Sequence, residues 1–396
     1  MKFLVPAMGR VNTQNRDGSE VRFSHVARQW TARGHSLHLV LPEREAPILR
    51  QAGVEGTYHI LREPFTSERD STWNVGLLYA FRLLQVSASL PPDALDCDIC
   101  YSPSDFLPDL YPAVVARRRK QSLRLAVCLF LLAPNPLRGY ENAFSSDGRA
   151  PSLRSSLFYL LQEFGLVLLR RYADAVLVLN ELDRRTLAQR GLADKTSVVR
   201  MGVDIPAIAA LPGDAAQAFD AIFLGRLHAQ KGVLDAVRAW EYVVRSHPNA
   251  RLGIIGGGSA EWLRKLGAEI QARHLDQNVT VLGFKSGSER FLYLKAARCF
   301  LFPSHYESFG MAALEAMACG LPVVAYDLPI FPPLFPGGML RAPIGDVRGL
   351  AEHVMAVLED GALHERMALE AQQVAAGYDW PLVAQEELTL LEHLRE

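Results

Sequence analysis

The sequence predicts an α/β protein made of two successive halves, each a parallel sheet covered by helices. Three observations carry this. Short apolar runs recur along the chain, each followed by a polar loop and then an amphipathic segment, the order that generates βαβ units. Near residue 205 the pattern lapses into an Ala-, Pro- and Gly-rich stretch, then restarts. With 396 residues, 49% of them hydrophobic, the chain is long enough to bury two cores.

In the first half, Lys2 to Ala7 reads as a strand and Gly9 to Ser19 as a polar loop. A helix is predicted over Glu20 to Arg33, burying Val21, Val26, Ala27 and Trp30, with Gly34 as its stop. Ser36 to Leu41 alternates as the second strand. The loop lacks G-x-G-x-x-G, so it is no dinucleotide fingerprint, but Gly18 at the helix start can approach a phosphate. Thr57 to Leu61 reads as a third strand, and Trp73 to Leu90 as a helix closed by Pro91-Pro92, with Leu77, Leu78, Phe81 and Leu84 among its apolar positions. Ile99 to Tyr101 is a strand running into Ser102-Pro103-Ser104-Asp105. Ligands gather at the carboxyl ends of parallel strands, which makes Asp105 a candidate beside its plainer reading as a turn former. The cations Arg117 to Lys120 suit a helix C-terminus. Leu123 to Leu132 reads as a strand buried on both faces, ending in Ala133-Pro134-Asn135-Pro136, and residues 137–152 as a loop. Leu153 to Tyr172 is a long helix, Ala175 to Leu179 a strand and Glu181 to Gln189 a short helix.

The second half opens with a strand over Asp220 to Leu224, the loop Gly225 to Gly232, and a helix whose core face is Val233, Val237, Trp240 and Val244. Arg226 and Lys231 flank that loop, and two cations among glycines suit a diphosphate, or form a solvated pair. Leu252 to Ile255 and Val279 to Leu282 are the next strands, trailed by Gly256-Gly257-Gly258 and Gly283-Phe284-Lys285. Then comes Pro303 to Val324, a loop, a helix from Gly310 to Ala318 and a strand. Glu307 precedes that helix and Glu315 lies inside it, seven residues between them. Eight residues of helix rise about 12 Å, more than the roughly 5–9.5 Å of a glycosidase carboxylate pair. Such a gap suits two ends of one extended ligand, and equally a cap and a solvated face. The unpartnered amides near Phe309, Gly310 and Met311 favour a phosphate. The expected division is residues 1–204, a linker over 205–217, residues 218–380, and a last helix over 381–396. Two such halves place a cleft between them.

Composition excludes several classes. No apolar run is long enough for a membrane span, and the N-terminus lacks the pattern of a signal peptide, so a cytoplasmic setting is expected. Five cysteines form no disulfide framework, and Cys97 and Cys100 lack a second pair for zinc. Residues 1–204 hold 26 Lys and Arg against 21 Asp and Glu, a net of +5, whereas residues 205–396 carry −6. The first half is thereby suited to an anionic partner such as a membrane surface.

Gly225-Arg226-Leu227 with Lys231-Gly232, Gly256 to Gly258, Pro303-Ser304, Glu307-Ser308-Phe309-Gly310 through Glu315, and Gly320 to Val324 occur in an order that resembles glycosyltransferase family 4, the retaining glycosyl transferases group 1 of the GT-B fold. The resemblance implies two Rossmann-like domains facing a cleft, with the C-terminal helix crossing back to the first. It implies sugar transfer with retention from a UDP- or GDP-sugar to a glycan, lipid-linked or small-molecule acceptor, in polysaccharide biosynthesis. Neither metal nor cofactor is implied, since the nucleotide sugar is a substrate, and no nucleic-acid partner. Peripheral membrane contact would run through the basic first domain. By position, Glu307, Arg226 and Lys231 would be catalytic. Gly18, Gly225, Lys285, Ser308, Phe309, Gly310, Met311 and Glu315 would bind the donor, and Asp105 and Asn135 lie on the acceptor side. Two departures stand out: Asn135 where relatives often carry a His, and the proline- and aromatic-rich residues 326–335 after Val324. They leave room for a non-catalytic sugar-nucleotide-binding subunit of a polysaccharide assembly, or a nucleotide-sugar epimerase.

Overall fold

The apolar runs become strands. Lys2–Pro6 (β1), Ser36–Pro42 (β2), Thr57–Leu61 (β3), Ile99–Ser102 (β4), Arg124–Cys128 (β5), Ala175–Val178 (β6) and Thr196–Val198 (β7) form one sheet in the order β3-β2-β1-β4-β5-β6-β7. Phe219–Leu224 (β8), Leu252–Ile255 (β9), Val279–Gly283 (β10), Ala297–Phe302 (β11), Val323–Tyr326 (β12) and Met339–Ala342 (β13) form a second, ordered β10-β9-β8-β11-β12-β13. Every pairing is parallel. This is a computed structural model, and it describes residues 1–8, 18–62, 77–78, 80–85, 90–133, 135, 153–212 and 218–395. Residues 9–17 of the predicted loop at Gly9 to Ser19, the loop at 137–152 and much of the helix at Trp73 to Leu90 fall outside those residues, and Gly18 and Ser19 already belong to the helix Gly18–Ala32.

Among the described residues the chain divides into two units. The first takes everything up to Gly202 together with Trp380–Arg395, and the second takes Val203–Asp379. Within the first unit, the last helix packs on the helix Gly18–Ala32. His25 stacks on Trp380 with ring centroids 4.6 Å apart, and Trp30 Nε1 donates to the Ala384 carbonyl at 3.3 Å. A Cβ on Gly202 would fall 2.3 Å from the Trp380 ring, so only glycine lets this helix seat there. Arg22 and Glu387 form an ion pair, both side chains 1% exposed. Tyr101 donates to the other Glu387 oxygen at 2.7 Å, and Arg22 Nε donates to the Arg200 carbonyl at 2.8 Å. A buried charge survives only with such partners.

Several local expectations need correction. The strand predicted over Leu123 to Leu132 is shorter, Arg124–Cys128, although Leu129 beyond it remains buried. Part of the predicted linker, Ile205–Ala209, is a helix whose cap is Asp204, accepting from Ala207 N. Arg22 replaces Val21 on the buried face of the first helix. Of the apolar positions named in the helix at Trp73 to Leu90, Leu78 is buried while Leu77 and Leu84 are 60% and 75% exposed.

Candidate active site

In the second unit the strand order reverses between β8 and β11. Loops leaving the carboxyl ends of two strands at such a switch point diverge, and the crevice between them is where ligands of α/β sheets bind. The two loops here are 225–232 and 303–310, the two motif-bearing stretches of the sequence.

Their backbones are fitted to one another through glycine. Gly232 has φ +66°, and a Cβ there would lie 1.8 Å from the Pro303 carbonyl oxygen. Gly256, after β9, comes equally close to Gly225, where a Cβ would meet its carbonyl oxygen at 1.9 Å. Leu227 N donates to the Gly257 carbonyl at 2.8 Å. Between the two loops, His305 N donates to the Gln230 carbonyl at 2.9 Å, and Gln230 Nε2 donates to the Tyr306 carbonyl at 3.1 Å. Two glycine motifs and the loop after Pro303 thereby build one floor.

On that floor Lys231 Nζ stands 2.5 Å from Glu307 Oε1, the two side chains 19% and 9% exposed. The ammonium has three donors, so two remain for a ligand. Arg226 is exposed and makes no ion pair among the described residues. Positive charge accumulates here: the His228 imidazole is held below its usual value first by burial, then by Arg226 and Lys231. Glu315 is held differently. Arg290 grips both its oxygens, Nη2 to Oε1 at 2.8 Å and Nε to Oε2 at 3.0 Å. This fork fixes the plane of the carboxylate and leaves each oxygen a further lone pair. Lys285 is tied to Glu289 at 2.7 Å and lies over the Tyr293 ring.

Ser308 is half-buried and Phe309 is buried edge-on against Phe335 and Tyr378. Gly310 follows at φ +103° as the cap of the helix Met311–Ala318. Ala313 N and Leu314 N close onto the Gly310 carbonyl, and among the described residues the Met311 and Ala312 amides ahead of them have no backbone partner. A Cβ on Gly310 would press on Phe331 at 3.2 Å and Phe335 at 3.4 Å. The aromatic residues that set 326–335 apart in sequence therefore back the helix start.

Sequence reasoning passed over a buried polar group beneath the site. Asp235 accepts from His305 at 2.8 Å, from the Tyr326 hydroxyl at 3.1 Å and from Arg238 at 3.1 Å. Burial alone would raise the Asp235 carboxyl; the His305 and Tyr326 hydrogen bonds and the Arg238 charge outweigh it and hold it below its usual value. His305 stands two residues before Glu307, and that proximity was the available signal. Arg290 gave no such signal, because its partner is 25 residues away.

The first unit carries the other predicted residues. Gly18 is the exposed first residue of its helix, beside Met201. Gln162 brings together the loops after β4 and β5: its Nε2 donates to Asp105 Oδ2 and to the Leu131 carbonyl, both at 2.8 Å, and its Oε1 accepts from Ala133 N at 2.6 Å. Burial pushes the Asp105 carboxyl up to about 6, against the pull of the Gln162 hydrogen bond. Asn135 is half-buried farther along the second loop. His38, His59 and Asp93 also converge, with ligand-type atoms within 4.8 Å of one another. The two ring nitrogens are 3.2 Å apart on centroids separated by 5.5 Å, so they point at each other as donor and acceptor of one hydrogen bond rather than at a common ion.

Residues 212–374 match the family profile of glycosyl transferases group 1. The glycogen synthase of Mycobacterium tuberculosis is 35% identical over 209 residues, covering 49% of this chain and 47% of that protein. The phosphatidyl-myo-inositol mannosyltransferase of Mycobacterium leprae is 31% identical over 175 residues, covering 43% and 46%. The chain thus spans about half the length of the curated relatives it matches. Among solved structures, Anabaena Alr3699/HepE in complex with UDP-glucose aligns over 99% of this chain and 100% of its own, with TM-score 0.74 and 19% identity. Sucrose-phosphate synthase from Thermosynechococcus elongatus aligns over 99% and 98%, with TM-score 0.72 and 19% identity. The fold is that of the GT-B glycosyltransferases, and residues 212–374 match the glycosyl transferases group 1 family profile.

Proposed function

We propose that this protein is a glycosyltransferase that moves a sugar from a nucleotide-sugar donor to an acceptor with retention of anomeric configuration. The observation that carries the reading is the Lys231–Glu307 pair, seated at the switch point beside the open amides of the helix Met311–Ala318. Departure of a nucleoside diphosphate develops negative charge on the leaving oxygen. Lys231, Arg226 and those amides are preorganised cationic and dipolar groups that stabilise such charge without reorganising. In this reading Glu307 contacts the donor sugar, and Glu315, its carboxylate plane set by Arg290, accepts from the ribose hydroxyls. Gly225, Ser308, Phe309, Gly310 and Met311 line the phosphate and sugar, Lys285 lies toward the base, and Gly18 approaches the phosphate. Asp105 and Asn135 belong to the acceptor side. The match of residues 212–374 to the glycosyl transferases group 1 profile, and UDP-glucose in the HepE structure of the same fold, support a nucleotide-sugar donor.

The test is a donor screen. Thermal stabilisation by UDP-, GDP-, ADP- and dTDP-sugars identifies the base, since a ligand at 100 times its dissociation constant adds about 2.7 kcal/mol. Turnover of the best donor with a panel of glycan and lipid-linked acceptors follows, the product anomer being read by NMR. Donor binding without transfer or hydrolysis would instead favour a non-catalytic sugar-nucleotide-binding role, and an inverted anomer would remove retention.

A further inference from the structure

Asp235 and His305 are not among the donor contacts named above, yet they join the two segments that carry Lys231 and Glu307. Lys231 ends the short helix Ala229–Lys231, and Asp235 follows four residues on, in the first turn of the helix Val233–Ser246. His305 and Glu307 are two residues apart in the loop after β11. The same two segments are therefore bridged twice by side chains: Lys231 Nζ to Glu307 Oε1 at 2.5 Å, and His305 Nε2 to Asp235 Oδ2 at 2.8 Å. The bond from His305 N to the Gln230 carbonyl joins them a third time.

An Asp in the first turn of a helix commonly serves the helix dipole. Asp235 is held more firmly than that requires. Its side chain is 12% exposed and takes donors from three elements: His305 in the loop, the Tyr326 hydroxyl at the end of β12, and Arg238 one turn along its own helix. Arg238 is anchored in turn by Glu269 of the neighbouring helix Ala260–Ala272, at 2.8 Å. An ionised carboxylate only accepts, so His305 Nε2 carries the proton of its bond, which fixes the ring's orientation. The Tyr326 ring closes on the imidazole edge-on, with centroids 5.2 Å apart. The two donors to Asp235 Oδ2 differ in what they hold. Tyr326 is a fully buried strand residue in register with Ala342 of β13, so its place does not depend on its hydroxyl. His305 has no strand pairing, and its place depends on the bonds of its ring and its amide.

We infer that Asp235, through His305, is a positioning residue for Glu307: the pair clamps the loop 303–310 to the start of the helix Val233–Ser246, so that the Glu307 carboxylate meets the Lys231 ammonium and the donor sugar in one geometry. The contact with the sugar rests on the transfer reading; the clamp does not. The test compares His305→Ala, His305→Gln, Asp235→Ala and Tyr326→Phe in the full chain. Amide hydrogen exchange of the unliganded protein reads the loop directly. His305→Ala and Asp235→Ala should speed exchange over residues 303–310 about tenfold, the worth of one charge-assisted hydrogen bond. His305→Gln, which keeps an N–H at the reach of Nε2, and Tyr326→Phe, which keeps the ring, should leave that exchange close to wild type. In steady-state kinetics the two alanine variants should lower kcat/KM about tenfold or more, as expected of a displaced reacting group. The loss should fall on kcat, not on affinity for the free nucleoside diphosphate, which lacks the sugar that Glu307 faces. If Asp235→Ala does not fold, the three remaining variants decide. The proposal falls if His305→Ala leaves exchange over 303–310 unchanged, or if Tyr326→Phe speeds it equally, since the network would then hold the core and not the loop. A loosened loop with unchanged kcat/KM removes the positioning role. A loosened loop in a protein whose wild type turns over no donor removes the transfer reading and upholds the clamp.

Discussion

A Cβ at Gly232 would sit 1.8 Å from the carbonyl oxygen of Pro303. The Lys231 loop and the Glu307 loop therefore approach as closely as backbone allows, and their side chains inherit that registry. Gly232→Ala must move one loop and hold a non-glycine residue at φ +66°. The backbone conformation alone costs about 1–3 kcal/mol. A lowered denaturation midpoint together with weakened donor affinity is expected. Unchanged donor affinity would show that the registry does not matter for binding.

The 2.5 Å contact makes Lys231 and Glu307 a unit rather than two independent contributors. Lys231→Ala and Glu307→Ala are each expected to lower kcat/KM about 10²–10³-fold, and the double variant little further. Steady-state kinetics on the three variants checks this. Losses that multiply would mean the two side chains act separately.

Arg290 acts through Glu315 and so is a positioning residue. Arg290→Ala frees the Glu315 carboxylate to rotate. The donor KM is expected to rise about tenfold, the cost of roughly one charge-assisted hydrogen bond, with kcat little changed. Preference for a nucleoside diphosphate over its 2′-deoxy analogue should shrink with it. A fall in kcat at unchanged KM would place Arg290 in the chemistry instead.

Glu387 neutralises Arg22 inside the first unit, both 1% exposed. Glu387→Ala strands a buried guanidinium and is expected to cost about 3–5 kcal/mol. Replacing both members with leucine and methionine should recover much of that loss. Urea unfolding of the single and double variants measures the difference.

Asp105 ties stability to pH. Its carboxyl is pushed up to about 6, above the usual 3.8, so the folded state holds the proton more tightly than the unfolded chain does. Its contribution is complete below pH 3.8 and is lost as pH rises through about 6. Asp105→Asn keeps an acceptor for Gln162 and never ionises. The variant should therefore gain on wild type between about pH 4 and pH 7, by up to about 3 kcal/mol. Parallel pH profiles of the unfolding midpoint would refute this.

The parts legible in the sequence were those written locally. The glycine-bearing loops at 225–232 and 256–258 and the Gly310 helix start stood out in the sequence, and Gly232 and Gly256 are where a Cβ would meet another backbone carbonyl. Apolar runs announced parallel strands buried on both faces. What stayed hidden depends on partners distant in the chain. Arg22 reads as a surface residue until Glu387, far along the chain, is folded against it. Arg290 gains meaning only from Glu315, one helix further on. Residues 326–335 read as a departure from the expected donor-side segment, yet Phe331 and Phe335 pack against Gly310.

The pairing of Arg22 with Glu387 also sets an order of assembly during synthesis. Residues 203–379 can leave the ribosome and fold while the first unit still lacks its closing helix. Until residue 387 emerges, the guanidinium of Arg22 has no carboxylate, and the surface later covered by Trp380–Arg395 stands open. The part of the protein translated first is thus the last to be completed. A chain cut short near its end loses its beginning, whereas the second unit keeps every strand of its own sheet.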